Sequence, residues 1–424
     1  MKFIFADSLD MIDPDYDFVN DRQSPDREMY WGDVYPHEFF STPPYDGILV
    51  SRGIVGDDLF PGKYPEDLMM RFRRLGARSF LRLKDGRFRN MSIFGDCGAF
   101  SYANMDEPPY TPDMMLEFYA DGGFTHGCSV DHIIFDFQAD SKGREGGSES
   151  AKKRFDITLE NARQFLRASK AMPKSFTPLG VVQGWSPGSM ACAASKLVAM
   201  GYKYLAIGGM VPLTAIQIHQ CLTAIRDRIG HNAKLHLLGF AKAEQIQDFR
   251  RYSIASFDTT SPLTRAFKDA KANYYELKPD AGLEYFTAIR VPQATENPRL
   301  KRRAKSNGSN QEHLRAMEET ALRSLRSFDT NNATEDEVVG AVTAYSREFL
   351  WDDKKGVASN VAALAKNETA IRRTLQAKPW KRCSCKVCKE AGIETLIFRG
   401  SNRNKRRGFH NLSVFYELVK RTVR

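Results

Sequence analysis

The sequence predicts an α/β fold followed by a small metal-binding subdomain, and two observations carry this prediction. Over the first two-thirds of the chain, short apolar runs that end in polar or glycine-rich corners alternate with helical patterns. This repetition is typical of a closed (β/α)8 barrel or of an open, doubly wound parallel sheet, and periodicity does not separate the two. Near the C-terminus, three cysteines within six residues are followed by a histidine. A chain of 424 residues can hold a barrel of about 250 residues and a smaller domain.

The predicted strands are dominated by apolar residues, as expected for parallel strands that are buried on both faces. Six such runs occur in the order DGILVSRG, RFRNMSIFGDCGAF, HIIFDFQAD, PLGVVQGW, YKYLAIGGM and KLHLLGFA. Helical patterns lie among the later runs, at DITLENARQFLRASKAM, GSMACAASKLVAMG, PLTAIQIHQCLTAIRDRIG and KAEQIQDFRRY. Farther along, apolar residues at helical spacing predict three amphipathic helices, at EETALRSLRSF, EDEVVGAVTAYSREFLW and VASNVAALAKNETAIRRTL. The basic, polar stretch VPQATENPRLKRRAKSNGSNQEHLRAM before them predicts a linker or mobile loop.

The cysteine cluster predicts a structural zinc site. Cys383, Cys385 and Cys388 lie close together, and His410 follows near enough to complete a tetrahedron. Thiolates and imidazole suit zinc, and four protein ligands leave no open position for a catalytic water. The alternative is a chance cluster of reduced thiols. The basic stretch FRGSNRNKRRGFH lies between Cys388 and His410, so zinc would fix a loop whose Lys and Arg side chains contact phosphates; a solvated charged face is the alternative.

Composition narrows the setting of the protein. No run of about 18 apolar residues occurs, and the N-terminal MKFIFADSLDMIDPD turns acidic at once, which argues against a membrane span and a signal peptide. A cytoplasmic location follows, with the remaining cysteines as buried or free thiols. The 62 Lys and Arg residues exceed the 52 Asp and Glu residues, giving a formal charge of +10. This excess fits a polyanionic partner, although a basic surface also serves solubility.

Polar residues stand where the predicted strands end, and functional groups of parallel α/β folds gather at those ends. They are Asp96, Asp136, Gln183, Gly208, Gly209, Gly239 and Asp258. Two carboxylates on opposite sides of an anomeric carbon support glycosyl transfer. Each Asp taken singly is better explained as a helix N-cap. Several of them at strand ends favour a catalytic site.

These motifs resemble the tRNA-guanine transglycosylase superfamily. FGDCGAF, HIIFDFQ, VVQGW, AIGGMVPL, LHLLGFA and SFDTTSPLTRAF occur in the order typical of that family, and CSCKVC with its later histidine falls where the family carries zinc. The resemblance covers about residues 45 to 290 and 380 to 424. It implies an irregular (β/α)8 TIM barrel with a C-terminal zinc-binding subdomain. The helical patterns between these two parts, which depart from the tRNA enzymes, predict a helical insertion. The predicted domains are therefore the barrel with an N-terminal extension (1–290), the basic linker and helical insertion (291–380) and the zinc-binding subdomain with the final helix (381–424).

The resemblance also implies a role for each candidate residue. Asp258 is expected to attack the sugar C1′ as nucleophile, and Asp96 to serve as general acid/base for the guanine that leaves and the base that replaces it. Asp136 and Gln183 are expected to read the guanine edge, and Gly208 and Gly209 to let the base approach the backbone. The family sandwiches the base at the positions of Phe100 and Leu238, for which ordinary barrel core is the alternative.

Three departures from the tRNA enzymes refine this expectation. Ala99 and Ser101 stand where the family usually has a glycine and a glutamine. Thr214 stands where the bacterial tRNA enzymes carry a glutamate suited to a cationic aminomethyl group. A neutral residue there indicates an uncharged incoming base, such as 7-cyano-7-deazaguanine (preQ0).

The neutral Thr214, the helical insertion and the long acidic N-terminus together resemble the DNA-modifying branch of the superfamily. That branch places preQ0 into guanine-containing DNA. Two alternatives stay open at this point: a tRNA-guanine transglycosylase with the same residues, and a non-catalytic nucleic-acid-binding subunit. Because no ATP-binding loop is evident in the sequence, an accessory ATPase or nuclease-like partner is compatible with this interpretation, as is a homodimer.

Overall fold

The computed structural model describes residues 1–139, 143–240, 242–280, 282–306 and 311–423. These residues form two compact units. Unit 1 comprises residues 1–9 and 45–260 with the chain end from Thr422, and unit 2 comprises residues 10–44 and 261–421. The three segments 1–290, 291–380 and 381–424 stay a prediction about organisation, whereas compactness groups residues 10–44 with the second half of the chain.

Unit 1 is built on a closed barrel of eight parallel strands in chain order, which confirms the barrel and excludes the open sheet. Strand β8 closes the barrel by pairing with β1, from Lys2 opposite Ser256 to Phe5 opposite Thr259. The strands are β1 Lys2–Ala6, β2 Gly47–Ser51, β3 Ser92–Asp96, β4 His126–Cys128, β5 Thr177–Val182, β6 Tyr204–Ile207, β7 Lys234–Leu237 and β8 Ser256–Thr259.

Side chains from these strands fill the barrel interior. The buried cluster inside the barrel consists of Ile4, Leu49, Phe94, Cys128, Leu179, Val181, Tyr204 and Ala206. A barrel of eight strands is only wide enough for side chains to fill it. The interior is therefore a packed core, and a substrate has room only at the ends of the strands.

Helices follow most strands of unit 1, and their starts are set by local sequence. Ser186 and Thr214 each cap a helix through a capping box, in which the side chain of the third helical residue returns a bond to the cap. The helices are α2 Arg52–Val55, α3 Glu66–Leu75, α4 Ala77–Phe80, α5 Pro112–Gly122, α6 Glu149–Ala168, α7 Pro187–Met200 and α8 Ala215–Ile229. The pattern KAEQIQDFRRY forms a 3-10 helix, Ala243–Tyr252, rather than an α-helix.

The fourth strand lies earlier in the chain than the sequence pattern predicts. Strand β4 is His126–Cys128, and residues 129–138 follow it without regular secondary structure. The strand predicted at HIIFDFQAD is therefore wrong, and the last residue of that pattern, Asp140, lies outside the described residues. The error is physical in origin: β4 contains a histidine and a glycine, whereas the extended loop after it carries the buried Ile133 and Ile134.

Unit 2 is largely helical, and it contains the three predicted amphipathic helices. Its helices are α1 Pro36–Phe39, α9 Ser261–Lys268, α10 Pro298–Ser306, α11 Gln311–Asp329, α12 Glu335–Leu350, α13 Val357–Ala377, α14 Pro379–Arg382, α15 Lys386–Ala391 and α16, which runs from Ser401 to Val423. Strands β9 Tyr274–Leu277 and β10 Leu283–Phe286 pair antiparallel, while β11 Ile289–Arg290 and β12 Ile397–Phe398 pair parallel. The predicted linker thus contains helix α10. Residues 307–310 of the linker lie outside the described residues. No described helix is long and apolar enough to cross a membrane.

Candidate active site

A cavity of about 150 Å³ opens where the strands of the unit 1 barrel end. Its walls come from strands β2, β3 and β8 and from the segments that follow the five strands β3 to β7. The lining consists of Leu49, Asp96, Ala99, Phe100, Asp131, Ile133, Gln183, Gly208, Gly209, Val211, Leu238, Gly239 and Asp258. This is the edge at which barrel enzymes place their functional groups. The structure thereby brings together every predicted catalytic and base-binding residue of the barrel except Asp136.

Asp96 is the last residue of strand β3, and its carboxyl group lines the cavity and has a raised pKa. Its Oδ2 accepts a hydrogen bond from the Gly98 backbone N–H at 3.0 Å, and Ser51 also bonds the carboxyl group. Burial, and then the nearby charges of Asp131 and Asp258, raise the pKa of Asp96 to about 7. A group with this pKa can give up and take back a proton near neutral pH, as a general acid/base must.

Asp258 lies in strand β8 and is 6% exposed. Its Oδ1 accepts a hydrogen bond from the Gly239 backbone N–H at 3.0 Å and lies 3.2 Å from Nε2 of His236. Within the described residues, both contacts fall on Oδ1. The second oxygen, Oδ2, is therefore the one available to an atom in the cavity.

A third carboxylate, that of the buried Asp131, lines the same cavity three residues after β4. The Gln183 amide donates to Asp131 Oδ2 at 2.7 Å, and the Cys97 thiol lies 3.1 Å from Oδ1. The Tyr102 hydroxyl bonds both Cys97 Sγ and the Asp131 carbonyl oxygen, each at 2.9 Å. Burial raises the pKa of Asp131. Asp131 and Gln183 therefore form a fixed acceptor–donor pair in the cavity wall.

The glycine corner after β6 makes room for this pair. A Cβ atom on Gly208 would lie 2.4 Å from the Gln183 amide nitrogen, so no larger residue fits there without moving Gln183. Gly209 has φ of +70°, a conformation that side chains disfavour. Across the cavity, Phe100 is 60% exposed and its ring lies 6.1 Å from that of Phe135. Phe100 is therefore not barrel core, and its ring is free to contact a base.

In unit 2, the four predicted metal ligands converge. His410 Nδ1 lies 3.5 Å from Cys383 Sγ, 3.3 Å from Cys385 Sγ and 3.4 Å from Cys388 Sγ. A tetrahedral zinc ion with bonds of about 2.3 Å to sulfur and about 2.0 Å to nitrogen would separate S and N by about 3.5 Å. His410 Nε2 bonds the Tyr275 carbonyl oxygen at 2.8 Å, which directs the lone pair of Nδ1 at the thiols. The cluster fits a metal site.

The comparison with known proteins agrees with the motifs and the barrel. A DNA-guanine transglycosylase from Salmonella montevideo is 40% identical over 426 residues, which cover 100% of this chain and 97% of that protein. The chain belongs to the DNA-guanine transglycosylase family. No family model matches the chain. Membership confirms the resemblance to the transglycosylase superfamily, and it decides in favour of an enzyme, a pentosyltransferase, over a non-catalytic binding subunit.

Asp136 is placed differently from the other predicted residues of this transglycosylase. It is exposed, and its Oδ2 accepts a hydrogen bond from Ser148 Oγ at 2.6 Å, beside the start of helix α6. Asp131, which sequence reasoning missed, lies in the cavity instead. The signal for Asp131 was its position three residues after the short strand β4. That signal stays hidden when the strand is assigned to the more apolar run that follows.

The departures from the tRNA enzymes also have defined places in the transglycosylase. Ala99 is buried and lines the cavity, whereas Ser101 is exposed. Thr214 is exposed and caps helix α8, where its backbone N–H bonds the Gln217 side chain at 2.8 Å. The capping contact explains a threonine at this position locally. Thr214 is not among the residues that line the cavity.

The basic stretch before His410 is neither a loop nor a solvated face. From Ser401 onward it belongs to helix α16, and its arginines are at most 8% exposed: Arg399, Arg403, Arg406 and Arg407. Arg403 pairs with Asp21 and Glu394, and it donates to the Phe18 carbonyl oxygen. The predicted phosphate contacts of these arginines are therefore wrong, because the charges are used inside unit 2.

Proposed function

We propose that this enzyme exchanges guanine in DNA for preQ0 through a covalent intermediate on Asp258. The observation that carries the proposal is the meeting of Asp96, Asp131 and Asp258 in one small cavity at the barrel mouth. Among the described residues, no Lys or Arg forms an ion pair with any of the three. DNA as the substrate rests on the relative, which is named for that activity.

In the first half-reaction, Asp258 Oδ2 would attack the sugar C1′ as the bond from C1′ to guanine N9 breaks. Asp96, whose pKa of about 7 keeps it partly protonated at neutral pH, would supply the proton that the departing base needs. In the second half-reaction, the new base would lose a proton to Asp96 and displace the carboxylate from C1′. A carboxylate nucleophile divides one difficult displacement into two easier steps, and two displacements retain the sugar configuration.

Base recognition would fall to Asp131 and Gln183, with Asp131 in the role that the sequence assigned to Asp136. A carboxylate accepts from the N1–H and the exocyclic amine of guanine and its 7-deaza analogues, and an amide can donate to the carbonyl oxygen. Leaving one of these buried groups unpaired costs about 1–3 kcal/mol, so a base with another edge is disfavoured. Phe100 and Leu238 would cover the faces of the base, and Gly208 and Gly209 would let it approach the backbone.

The choice of preQ0 rests on charge at the glycine corner. The residues that line the cavity after β6 are Gly208, Gly209 and Val211, and the helix cap beyond them is the neutral Thr214. None of these four described residues offers a carboxylate to a cationic aminomethyl group. An uncharged nitrile places no such demand on the corner, which supports preQ0 as the incoming base.

Zinc is the metal that best suits the cluster in unit 2. Cys383, Cys385, Cys388 and His410 would fill all four positions of the ion, so zinc would hold the fold and supply no chemistry to the exchange. Cys385→Ser should lower both the bound zinc and the melting temperature, since metal binding and folding are coupled. Metal analysis with thermal unfolding measures both; a variant that keeps its melting temperature without zinc would contradict the structural role.

A target guanine in duplex DNA would have to leave the base stack to reach Asp258, at a cost of a few kcal/mol. A tRNA substrate remains the second candidate because it would use the same residues. The relative from Salmonella montevideo, which is named a DNA-guanine transglycosylase, favours DNA.

The deciding experiment combines nucleoside analysis with trapping of the intermediate. Purified protein is incubated with preQ0 and either DNA or tRNA, and the nucleosides are identified by mass spectrometry. A 7-deazaguanine deoxynucleoside is expected; a modified ribonucleoside alone would overturn the DNA assignment. The aminomethyl base supplied in place of preQ0 should be incorporated less.

The nucleophile is tested on denaturing gels. Wild-type protein should form a DNA adduct, and Asp258→Asn, which keeps the size of the side chain, should abolish it and lower turnover by about 10⁴-fold or more. Asp136→Asn is the matched control, because its carboxylate lies outside the cavity, and it should retain both. Turnover that survives in Asp258→Asn would remove Asp258 from this role.

A further inference from the structure

A chain of three buried polar side chains lies beneath the Asp258 carboxylate in the barrel of unit 1. The Tyr204 hydroxyl lies 2.6 Å from Ser256 Oγ, and Ser256 Oγ lies 2.6 Å from His236 Nδ1. His236 Nε2 in turn lies 3.2 Å from Asp258 Oδ1. Ser256 and His236 are fully buried and Tyr204 is 7% exposed. Polar groups in a barrel core are costly unless they are paired, so their alignment with a cavity carboxylate requires an explanation.

The carboxylate fixes the direction of every proton in this chain. If His236 Nε2 carries its proton, that proton faces Asp258, and Nδ1 accepts from the Ser256 hydroxyl. Ser256 then accepts from the Tyr204 hydroxyl, so each group donates toward Asp258. The opposite tautomer would set the Nε2 lone pair against a carboxylate oxygen. Tyr204 is the end of this series of hydrogen bonds that lies farthest from Asp258.

The contact between His236 Nε2 and Asp258 Oδ1 has a suitable distance but a poor direction. The Nε2 atom is buried and, within the described residues, makes no hydrogen bond of good geometry. At 3.2 Å from Asp258 Oδ1, the distance suffices and only the direction of the N–H is unfavourable. Catalytic hydrogen bonds are often poorly aligned without substrate and improve in the reacting complex. The imidazole is held in place meanwhile, because its ring stacks on Phe94 with centroids 5.0 Å apart.

We propose that His236 is a positioning residue that, oriented by Ser256 and Tyr204, donates to Oδ1 of Asp258 and makes this carboxylate a good leaving group in the second half-reaction. This inference rests on the proposed function. The donor occupies Oδ1 together with the Gly239 N–H, so Oδ2 is the oxygen that bonds C1′.

The two half-reactions use this donor differently. When the Oδ2–C1′ bond forms, the carboxylate loses its negative charge, and a donor on Oδ1 does not assist that step. When N9 of the incoming base attacks C1′, its proton passes to Asp96, and the Oδ2–C1′ electron pair returns to the carboxylate. Negative charge then develops over both oxygens, and a fixed donor at Oδ1 stabilises it. Loss of the donor should slow the second step selectively.

Two substitutions at His236 separate the donor from the space that the side chain fills. The amide of His236→Gln can extend to the position of Nε2 and restore an N–H toward Asp258. The amide of His236→Asn reaches only as far as Nδ1, so it keeps the contact with Ser256 and loses the one with Asp258. Adduct formation is followed in a single turnover on guanine-containing DNA, and adduct decay is followed after addition of preQ0.

The expected result is that His236→Asn lowers the rate of adduct decay on the order of 10²-fold, with adduct formation within a few-fold of wild type, so that adduct accumulates. His236→Gln should recover a substantial part of the decay rate. Equal slowing of both steps in both variants, or wild-type decay in His236→Asn, would overturn the proposal.

A second variant covers the case in which His236→Asn does not fold. Ser256→Ala removes the donor to Nδ1 but leaves the imidazole, and it should slow adduct decay selectively by a smaller factor. Wild-type decay in Ser256→Ala would then overturn the relay. A wild-type protein that forms no adduct at all would instead refute the proposed function, which is a distinguishable outcome.

Discussion

The buried charges of unit 1 and those of unit 2 are treated in opposite ways. In unit 1, Asp96, Asp131 and Asp258 crowd into one cavity, and in the described residues no Lys or Arg pairs with them. In unit 2, Arg399 and Arg403 share Asp21, and each binds a further carboxylate, Glu318 and Glu394 respectively. Three carboxylates in each unit therefore form either a site of mutual repulsion, in unit 1, or a network neutralised by two arginines, in unit 2.

The difference shows how each region uses its carboxylates. Repulsion within the cavity is what raises the pKa of Asp96 beyond the effect of burial, and a cation there would lower that pKa and so oppose the proposed acid/base role. In unit 2, a carboxylate without its arginine would be an uncompensated buried charge, which proteins rarely tolerate. The carboxylates without a Lys or Arg partner thus lie at the candidate active site. Among the paired carboxylates, Asp21 connects the N-terminal segment 10–44 to Arg403 of helix α16.

Breaking the paired network should have the largest effect on stability. Arg403→Met keeps much of the side-chain volume but leaves Asp21 and Glu394 short of a partner, so the free energy of unfolding should fall by about 3–5 kcal/mol. Arg421→Met is the control, because Arg421 pairs with Glu417 in an exposed contact on the same helix and should cost about 0.5 kcal/mol. Denaturant unfolding measures both. Equal losses in the two variants would show that burial and pairing do not determine how much each arginine contributes to the free energy of unfolding.

Removing a carboxylate from the unpaired set should instead change catalysis. Asp131→Asn replaces the acceptor beside Gln183 with an amide, which should lower kcat/KM for the exchange about 10- to 100-fold. Asp136→Asn, five residues farther along and outside the cavity, should have almost no effect. Steady-state rates on guanine-containing DNA with preQ0 test the pair. The reverse ranking would return the base-reading role to Asp136, as the sequence predicted.

The sequence was informative where local pattern and function coincide. Five of the six predicted strands are present, the Cys3His cluster converges, and the corners with Gln183, Gly208 and Asp258 reach one cavity. Strand β1 was missed because KFIFA is a five-residue run that enters an acidic segment, and its role is to close the barrel with β8 at the far end of the fold. Such long-range pairing leaves no local signature.

The remaining errors share one cause, which is that local composition does not report a partner distant in the chain. The run RGSNRNKRR reads as an exposed basic loop until Asp21, nearly 400 residues earlier, supplies a carboxylate for Arg399 and Arg403. His236 reads as one polar residue in a strand until Ser256 and Tyr204 align with it. A charge or a hydroxyl is buried only when it has a hydrogen-bond or ion-pair partner. In these cases the partner is distant in the sequence, so it becomes apparent only in the folded structure.

The smallest expected effect is a shift in pH dependence within the unpaired set. Asp96 must be protonated to assist the departing guanine, so single-turnover guanine release should be fastest below its pKa of about 7 and fall up to tenfold per pH unit above it. Asp131→Asn removes a neighbouring negative charge, so at saturating DNA the descending limb should move to lower pH. In Asp136→Asn the descending limb of the pH profile should lie at the same pH as in the wild type.

Stability offers a check on this pKa that does not depend on turnover. The pKa of Asp96 is raised from 3.8 to about 7 on folding, so the native state binds the proton more tightly than the unfolded chain. The stability that this proton provides is fully present below pH 4 and is lost as pH rises toward 7. Asp96→Asn should therefore flatten the decline of unfolding free energy between pH 4 and pH 7. An unchanged decline would mean that Asp96 does not titrate near neutrality, and that the crowding of carboxylates in the cavity does not tune its acid.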